Sequence, residues 1–249
     1  MADVGFIAMI VAGLGVSWWR HLRRAPRRLT AGDVLDTDAE VALHVASHEA
    51  RSRGQDLSSL HILYGLLQVD TVTEAIATSG GDASALEDRV LAALRAPIDT
   101  AHDDGEGVLR VAIAVASRGG RKTTCTDLWA YLGDSRAGAL IDTALDRGAI
   151  LFALFHGGRA PEVSTSDERD VFVVLRNDHY TTHTFVCEVL RDVFALPDAQ
   201  AAEITQAAHT TGRAVIGRFS TAAARAKLRE VRVRASAHAF PLWVGVEPA

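Results

Sequence analysis

The chain has little cysteine, methionine and lysine. Among its 249 residues are two cysteines and two methionines, and its lysines are Lys122 and Lys227. Two cysteines by themselves make neither a disulfide framework nor a zinc site. Cys125 and Cys187 both fall in apolar helical patterns, which predicts buried thiols. The net charge of −5 also gives no basic domain of the kind that nucleic-acid-binding proteins carry, so that class of protein is excluded.

The motifs of the common nucleotide-dependent and hydrolytic enzymes are missing from the sequence. The chain has no phosphate-binding G-x-x-x-x-G-K-[ST] loop, no H-E-x-x-H zinc motif and no G-x-S-x-G nucleophile motif. Residues 119–123 contain glycine and basic residues, but they lack the glycine spacing of a phosphate loop and a preceding strand. We therefore expect a protein that is not an enzyme and that uses no cofactor and no metal.

The N-terminus is apolar and is followed by positive charge. Residues 4–19 are uncharged and end in two tryptophans, and five arginines follow within residues 20–28. Arginine-rich flanks stay on the cytoplasmic side of a membrane. Residues 1–28 are therefore predicted to be a single-pass anchor in the cell inner membrane, although a helix of 16 residues covers only about 24 Å of a ~30 Å hydrocarbon core. A helix in the membrane interface, a helix in the protein core and a soluble cytoplasmic protein are the alternatives.

Residues 30–155 are predicted to be all helical from the spacing of their apolar residues. The pattern restarts with a constant offset. Gly120 follows Gly54 by 66 residues, and residues 124–128 follow residues 58–62 by the same distance. A repeat of this length indicates two copies of one helical unit.

The first copy carries a family-like motif. Residues 58–63 read SSLHIL, which resembles Thr-x-Glu-His-Leu-Leu of the Clp N-terminal repeat domain, with Leu60 in place of the family's glutamate. That domain is the double four-helix module at the front of Clp-family unfoldases, so the resemblance implies the same all-α fold for residues 30–155. An unrelated helical bundle with an accidental periodicity is the alternative.

The rest of the chain changes character. Residues 156–169 are rich in glycine, proline, serine and charge, which predicts a linker. Beyond them, β-branched runs at 171–176, 214–219 and 242–246 alternate with helical patterns. The order strand, helix, helix, strand, helix, strand predicts a small α+β domain over residues 170–248. The chain is therefore expected to be multidomain.

Three motifs in residues 170–248 resemble the ClpS adaptor family. NDHYTT at 177–182 resembles Asn-Asp-Asp-Tyr-Thr-Pro, AHTTGRA at 208–214 resembles Val-His-x-x-Gly-x-Ala, and FPL at 240–242 resembles His-Pro-Leu. The spacing between them needs no gap. The resemblance implies a three-stranded antiparallel sheet with three helices, and a site that grips the N-terminal residue of proteins destined for a Clp protease.

The residue types in these motifs suit the recognition of a free amino group. An α-ammonium has three hydrogen-bond donors and no acceptor, so its site must bring several acceptors together. Asn177 offers an amide oxygen, Asp178 a carboxylate and neutral His209 a ring nitrogen. The alternative is structural, because asparagine and aspartate favour turns in any protein and a histidine near a helix end interacts with the helix dipole.

The resemblance also implies a pocket for the first side chain of the substrate. His183 and Thr205 stand where the family usually has methionine, which makes the pocket more polar and, at Thr205, more open. The complete set of pocket residues implied by the resemblance is Thr181, His183, Val186, Thr205 and Leu242.

The family surface that docks on the unfoldase maps to Ala222, where the family often has glutamate, and to Lys227, which is kept. We therefore expect an adaptor that binds N-degron substrates, meaning proteins with large apolar N-terminal residues, and delivers them to a Clp-family AAA+ unfoldase and its protease. An intramolecular contact between the two domains is also expected, since ClpS adaptors dock on a Clp N-domain. The alternative is a membrane-tethered scaffold or anti-adaptor, in which the fused N-domain occupies the ClpS surface and nothing is delivered.

Overall fold

The computed structural model describes residues 31–96, 103–158 and 170–248. The predicted membrane anchor at residues 1–28 and most of the predicted linker, residues 159–169, lie outside the described residues. Within the three described ranges, every helix is too short or too polar to span a bilayer.

The chain divides into two compact units between Leu145 and Asp146. In the described ranges, the first unit holds residues 31–77 and 81–145, and the second holds residues 146–158 and 170–248 with the short segment 78–80. The helical domain predicted from the sequence ends at residue 155 instead. The last helix of the helical segment is therefore grouped with the second unit.

The first unit is all helical apart from one isolated β-bridge between Leu35 and Thr123. Its central helix α3, Ser59–Leu66, is buried on nearly every side. An added Cβ at Gly65 would collide with the Ala42 carbonyl of helix α2, Thr37–Ser52. Glycine therefore allows α2 and α3 to pack in close contact. The described helices of this unit are α1 Ala31–Val34, α2 Thr37–Ser52, α3 Ser59–Leu66, α4 Asp70–Thr78, α5 Ala83–Leu94, α6 Gly105–Arg118, α7 Cys125–Ala130 and α8 Arg136–Asp142.

The 66-residue offset is also present in the geometry of the first unit. Helix α3 begins after Ser58, whose N–H donates to His61 Nδ1 at 3.2 Å, and helix α7 begins after Thr124, whose N–H donates to Asp127 Oδ2 at 2.9 Å. In both copies the third helical residue therefore satisfies the backbone donor of the N-cap residue. This geometry is that of a repeated helical unit, and it does not by itself identify a family.

The second unit contains a three-stranded antiparallel sheet formed by β1 Asp170–Arg176, β2 Arg213–Ser220 and β3 Trp243–Pro248, in the order β2-β1-β3. From residue 170 onward, strands and helices follow the predicted order, and the predicted small α+β domain is confirmed. The elements of this unit are α9 Arg147–His156, β1 Asp170–Arg176, α10 His183–Phe194, α11 Asp198–Thr211, β2 Arg213–Ser220, α12 Thr221–Ala237 and β3 Trp243–Pro248.

Strand β1 is the central strand of the sheet, and its β-branched run is buried. Val173, Val174 and Leu175 are at most 2% exposed, as expected for a strand with neighbours on both edges. Helix α10 contributes the largest share of the apolar core that covers the sheet, namely Phe185, Val186, Val189, Leu190, Val193 and Phe194.

The two cysteines differ in their surroundings. Cys125 is buried, and burial raises the pKa of its thiol to about 12. Cys187 is only half-buried, so the prediction of two buried thiols was wrong for Cys187. It lies on α10 between buried and exposed positions, where an apolar pattern alone does not separate the two.

Candidate functional site

The strand register brings the three sequence motifs to one end of the sheet. Arg176, the last residue of β1, pairs with Arg213 at the start of β2 and with Trp243 at the start of β3. The Arg176 guanidinium also lies over the Trp243 ring, 4.1 Å from its centroid. Because β1 is the central strand, the segments that flank these three residues meet at the same end of the sheet. They are the loop after β1, the end of α11 and the segment before β3.

The loop after β1, residues 177–182, is organised around the Asp178 carboxylate. Asp178 is 8% exposed, and its Oδ1 accepts hydrogen bonds from the N–H groups of Tyr180 at 2.8 Å and Thr181 at 2.6 Å. Its Oδ2 accepts from the Thr181 hydroxyl at 2.7 Å. A carboxylate has about four lone-pair positions, so capacity for a further donor remains. The loop therefore holds a buried negative charge in a fixed orientation.

Asn177 is the first residue of this loop, and His209 lies on helix α11. The Asn177 N–H donates to the Gly212 carbonyl at 2.9 Å, and Gly212 ends helix α11 in the left-handed conformation with φ of 84°. His209 is exposed in the last turn of the same helix. The backbone bond therefore joins the start of the loop to the turn that carries His209.

Thr181 and Thr182 have different tasks at the start of α10. Thr182 is the N-cap residue, and its hydroxyl accepts from the Phe185 N–H at 3.3 Å. Asp178 and Thr181 are both predicted from the sequence to recognise substrate. In the structure the Thr181 hydroxyl is directed to Asp178.

The other predicted pocket residues lie on α10, on α11 and before β3. Val186 and Leu242 are 7% and 4% exposed and belong to the apolar core of the unit, whereas His183 is exposed at the start of α10. Thr205 is buried, and its hydroxyl donates to the Ala201 carbonyl at 2.8 Å. The residues that would line the pocket are thus apolar on one side and polar on the other.

Cys187 is a neighbour of this polar side that the sequence reasoning missed. Its Sγ lies 3.4 Å from Thr205 Oγ1 and 3.6 Å from His183 Nδ1. A thiol therefore stands beside the two positions that lack the family's methionines. The signal in the sequence was its position, four residues after His183 and hence on the same face of the helix.

The predicted unfoldase contacts lie toward the opposite end of the sheet. Ala222 is exposed in the first turn of α12, just after Ser220, which pairs with Asp170 at the start of β1. Strand β1 has seven residues and spans about 20 Å between its ends. Lys227 is engaged within the unit, since its Nζ donates to the Val193 carbonyl at 2.5 Å.

Helix α9 contributes two residues that the sequence analysis placed outside the α+β domain. The His156 Nε2–H donates to the Pro241 carbonyl at 2.8 Å, next to Leu242. The Phe155 ring meets the ring of Tyr180 edge-on, with the centroids 5.5 Å apart. Burial lowers the pKa of His156, and the nearby Asp178 carboxylate acts in the opposite direction.

Comparison with known proteins identifies a family for the second unit. A family model described as ATP-dependent Clp protease adaptor protein ClpS matches residues 166–245. The ATP-dependent Clp protease adapter protein ClpS of Acetivibrio thermocellus is 40% identical over 76 residues, which are 30% of this chain and 77% of the relative. ClpS of Syntrophus aciditrophicus is 39% identical over 70 residues, which are 28% of this chain and 65% of that protein.

Among solved structures, Agrobacterium tumefaciens ClpS2 bound to L-phenylalaninamide matches with 30% identity and a TM-score of 0.32, covering 33% of this chain and 100% of that one. The identity and coverage of the Acetivibrio relative, together with the matched family model, establish the family. Through its C-terminal unit, this chain belongs to the ClpS family, whose members are adaptors of the ATP-dependent Clp protease and not enzymes.

Proposed function

We infer that this ClpS-type adaptor binds the free α-amino group and the first side chain of N-degron proteins and delivers them to a Clp ATPase and its protease. The observation that carries the proposal is the meeting of the Asn177–Asp178 loop, the last turn of α11 and the Leu242 segment at one end of the sheet. These three segments hold the three motifs that resemble the family.

The chemistry of the loop supports recognition of an ammonium group. Asp178 is buried and its carboxyl oxygens accept from N–H and hydroxyl donors, so its orientation is fixed before a ligand arrives. A cation that reaches it forms a charge-assisted bond without first reorganising the site. His209 and the amide oxygen of Asn177 are the further acceptors in the proposal.

The same arrangement explains why a blocked N-terminus would be rejected. An acetylated or internal residue brings no ammonium, so the acceptors would lose water without gaining donors, at a cost of roughly 1–3 kcal/mol each. The first side chain would lie against Val186 and Leu242, which favours a large apolar residue.

Peptide binding tests this proposal. Fluorescent peptides that begin with Leu, Phe, Trp or Tyr should bind the full chain, and the same peptides with an acetylated N-terminus should bind at least about tenfold more weakly, which corresponds to about 1.4 kcal/mol. Equal affinity for the free and acetylated peptides would overturn the proposed amino-group recognition.

A degradation assay separates delivery from the anti-adaptor alternative. Purified Clp ATPase and protease would be supplied with a reporter that begins with Leu, with and without the chain. Faster degradation of this reporter, with no effect on a reporter that begins with Met, is expected for an adaptor. Slower degradation at a saturating concentration of the chain would instead indicate an anti-adaptor.

The resemblance of residues 30–155 to the Clp N-domain stays a proposal, supported by the matching caps at Ser58 and Thr124.

A further inference from the structure

Helix α9 lies outside the segment that the chain shares with its relatives. The family match begins at residue 166, whereas α9 ends at His156. Nevertheless α9 is part of the same compact unit as the sheet. Its contacts with the loop and with the β3 segment are therefore additions of this chain to the shared fold.

The start of α9 is fixed on α12 by close backbone packing. A Cβ added at Gly148 would lie 2.7 Å from the Ser236 carbonyl oxygen and 2.8 Å from the Ser236 Cα, so only glycine allows this approach. Beside it, the Ser236 hydroxyl donates to Asp146, the N-cap residue of α9. These two contacts set the position of the helix axis relative to α12.

The end of α9 contacts two of the three segments that carry the candidate site, the loop after β1 and the segment before β3. Phe155 meets Tyr180 and His179 edge-on, with centroid separations of 5.5 Å and 6.0 Å. These two residues form the part of the loop between Asp178 and Thr181. His156, half-buried, donates to the Pro241 carbonyl, directly before Leu242.

The two contacts complement the bonds that the loop makes by itself. Asp178 fixes the backbone of Tyr180 and Thr181 from the inside, and the Phe155 ring packs against the loop from outside. An aromatic pair with this perpendicular geometry is favourable beyond the area it buries. A site whose loops are held before binding loses less conformational entropy when the ligand arrives.

We propose that Phe155 and His156 are positioning residues of the amino-group site, so that helix α9 sets the affinity of this adaptor for its substrates. Phe155 holds the loop of Asp178, and His156 holds the Pro241–Leu242 segment at the pocket wall. This inference rests on the proposed function, because it assigns the residues that position the same site.

The test uses the full chain and a fluorescent peptide with a free N-terminal Leu. Phe155→Ala is expected to weaken binding about three- to tenfold, the range that corresponds to loss of one aromatic pair. Phe155→Tyr, which keeps the ring, should bind the peptide with wild-type affinity. Phe172→Ala is the matched control, because Phe172 is a 37% exposed aromatic residue of β1 in the same unit, outside the loop.

His156 is tested with a conservative pair. His156→Gln keeps a side-chain N–H donor for the Pro241 carbonyl and should stay within about twofold of wild type, whereas His156→Ala should weaken binding about three- to tenfold. Hydrogen exchange of the loop amides adds a readout of position, and faster exchange at residues 178–182 is expected in Phe155→Ala and His156→Ala.

The outcomes separate this inference from the proposed function. If the wild-type chain does not prefer free over acetylated peptides, the proposed function fails. If it does prefer them, and Phe155→Ala and His156→Ala both bind as wild type does, the positioning role of α9 is overturned. If Phe155→Ala does not fold, Phe155→Leu, which keeps most of the packing at residue 155, and the His156 pair decide the question.

Discussion

Asp178 serves the loop and the proposed ligand site at the same time. Its carboxylate accepts from the N–H groups of Tyr180 and Thr181 and from the Thr181 hydroxyl. Truncation to alanine therefore removes the charge and the turn together. An asparagine at this position keeps an oxygen that can accept the two backbone N–H groups. It removes the charge and replaces the oxygen that faces the Thr181 hydroxyl with an NH2 group, from which that hydroxyl can accept, so the two variants have different consequences.

We predict that Asp178→Asn weakens binding of free-amino peptides about tenfold or more with little change in stability, because the ammonium loses its charged partner. Asp178→Ala should weaken binding and also lower the free energy of unfolding by about 1–2 kcal/mol, through loss of the turn. Peptide titration and denaturant unfolding measure the two effects. Unchanged peptide affinity in Asp178→Asn would contradict the assignment of Asp178 as the charged acceptor.

His156 gives the docking of α9 a dependence on pH. Burial is the largest influence and lowers the pKa of His156 below its ordinary value of 6.5, and Arg176 acts in the same direction. The Pro241 carbonyl and Asp178 act in the opposite direction, and the rings of Phe152 and Phe155 pack against the imidazole. The unfolded chain therefore binds a proton at His156 more readily than the folded chain does.

The sign of the effect follows from this difference. The stability contributed by neutral His156 is fully present above pH 6.5 and is lost as the pH falls through the lowered folded pKa. We predict that the unfolding temperature of wild type falls more between pH 7.5 and 5 than that of His156→Gln, because glutamine leaves no titrating group at position 156. Parallel pH profiles of the two proteins in thermal unfolding would refute the prediction.

At the scale of elements, helix packing depends on positions where only a small residue fits. Gly148 of α9 touches the backbone of α12, and the paired helices of the first unit have a similar approach at Gly65. In both cases the neighbouring group is backbone, which does not move away as a flexible side chain would. A methyl group at such a position therefore separates the two elements.

We predict that Gly148→Ala loosens α9 although alanine is the better helix former, because the added Cβ would lie 2.7 Å from the Ser236 carbonyl oxygen. Amide hydrogen exchange in residues 147–156 should become faster, with a cost of about 1–2 kcal/mol. Gly158→Ala is the matched control, since a Cβ there meets nothing within 4 Å. Equal protection of the α9 amides from hydrogen exchange in both variants would show that the close approach of Gly148 to Ser236 is unimportant.

Lys227 joins α10 to α12 and β2. Its ammonium donates to the Val193 carbonyl in the last turn of α10, where the helix dipole favours a cation, and it lies 5.4 Å and 5.6 Å from the ring centroids of Phe194 and Phe219. A role in docking on the Clp ATPase would therefore come in addition to a role in the fold.

We predict that Lys227→Met lowers the free energy of unfolding by about 1–2 kcal/mol, through loss of the bond to Val193, and that Lys227→Glu lowers it further. Denaturant unfolding measures the change, with Arg229→Met as a control on an exposed position of the same helix. If Lys227→Met is as stable as wild type, its contacts to Val193 and the rings are unimportant for the fold.

At the scale of the whole molecule, the prediction of a membrane anchor concerns residues 1–28, which lie outside the described residues. We predict that the full chain remains with membranes after alkaline carbonate washing, since an apolar segment buried in lipid is not released by loss of ionic contacts. A variant without residues 1–29 should move to the supernatant. Recovery of the full chain in the supernatant would contradict the anchor.

The sequence by itself determined the α+β fold of residues 170–248 and the three motifs on which the proposed site rests. Its β-branched runs and helix patterns are local signals, and the three motifs occur at fixed spacings. It also indicated the 66-residue repeat, because capping residues act within one helical turn.

Only the tertiary structure decided how the site is held together. The predicted linker began at His156, yet His156 ends α9 and binds the Pro241 carbonyl, 85 residues away along the chain. The bonds that Asp178 accepts from its own loop depend on the backbone path after β1, and the contact of Cys187 with Thr205 depends on how α10 packs on α11. Contacts between distant segments follow from packing, which periodicity and propensity do not encode.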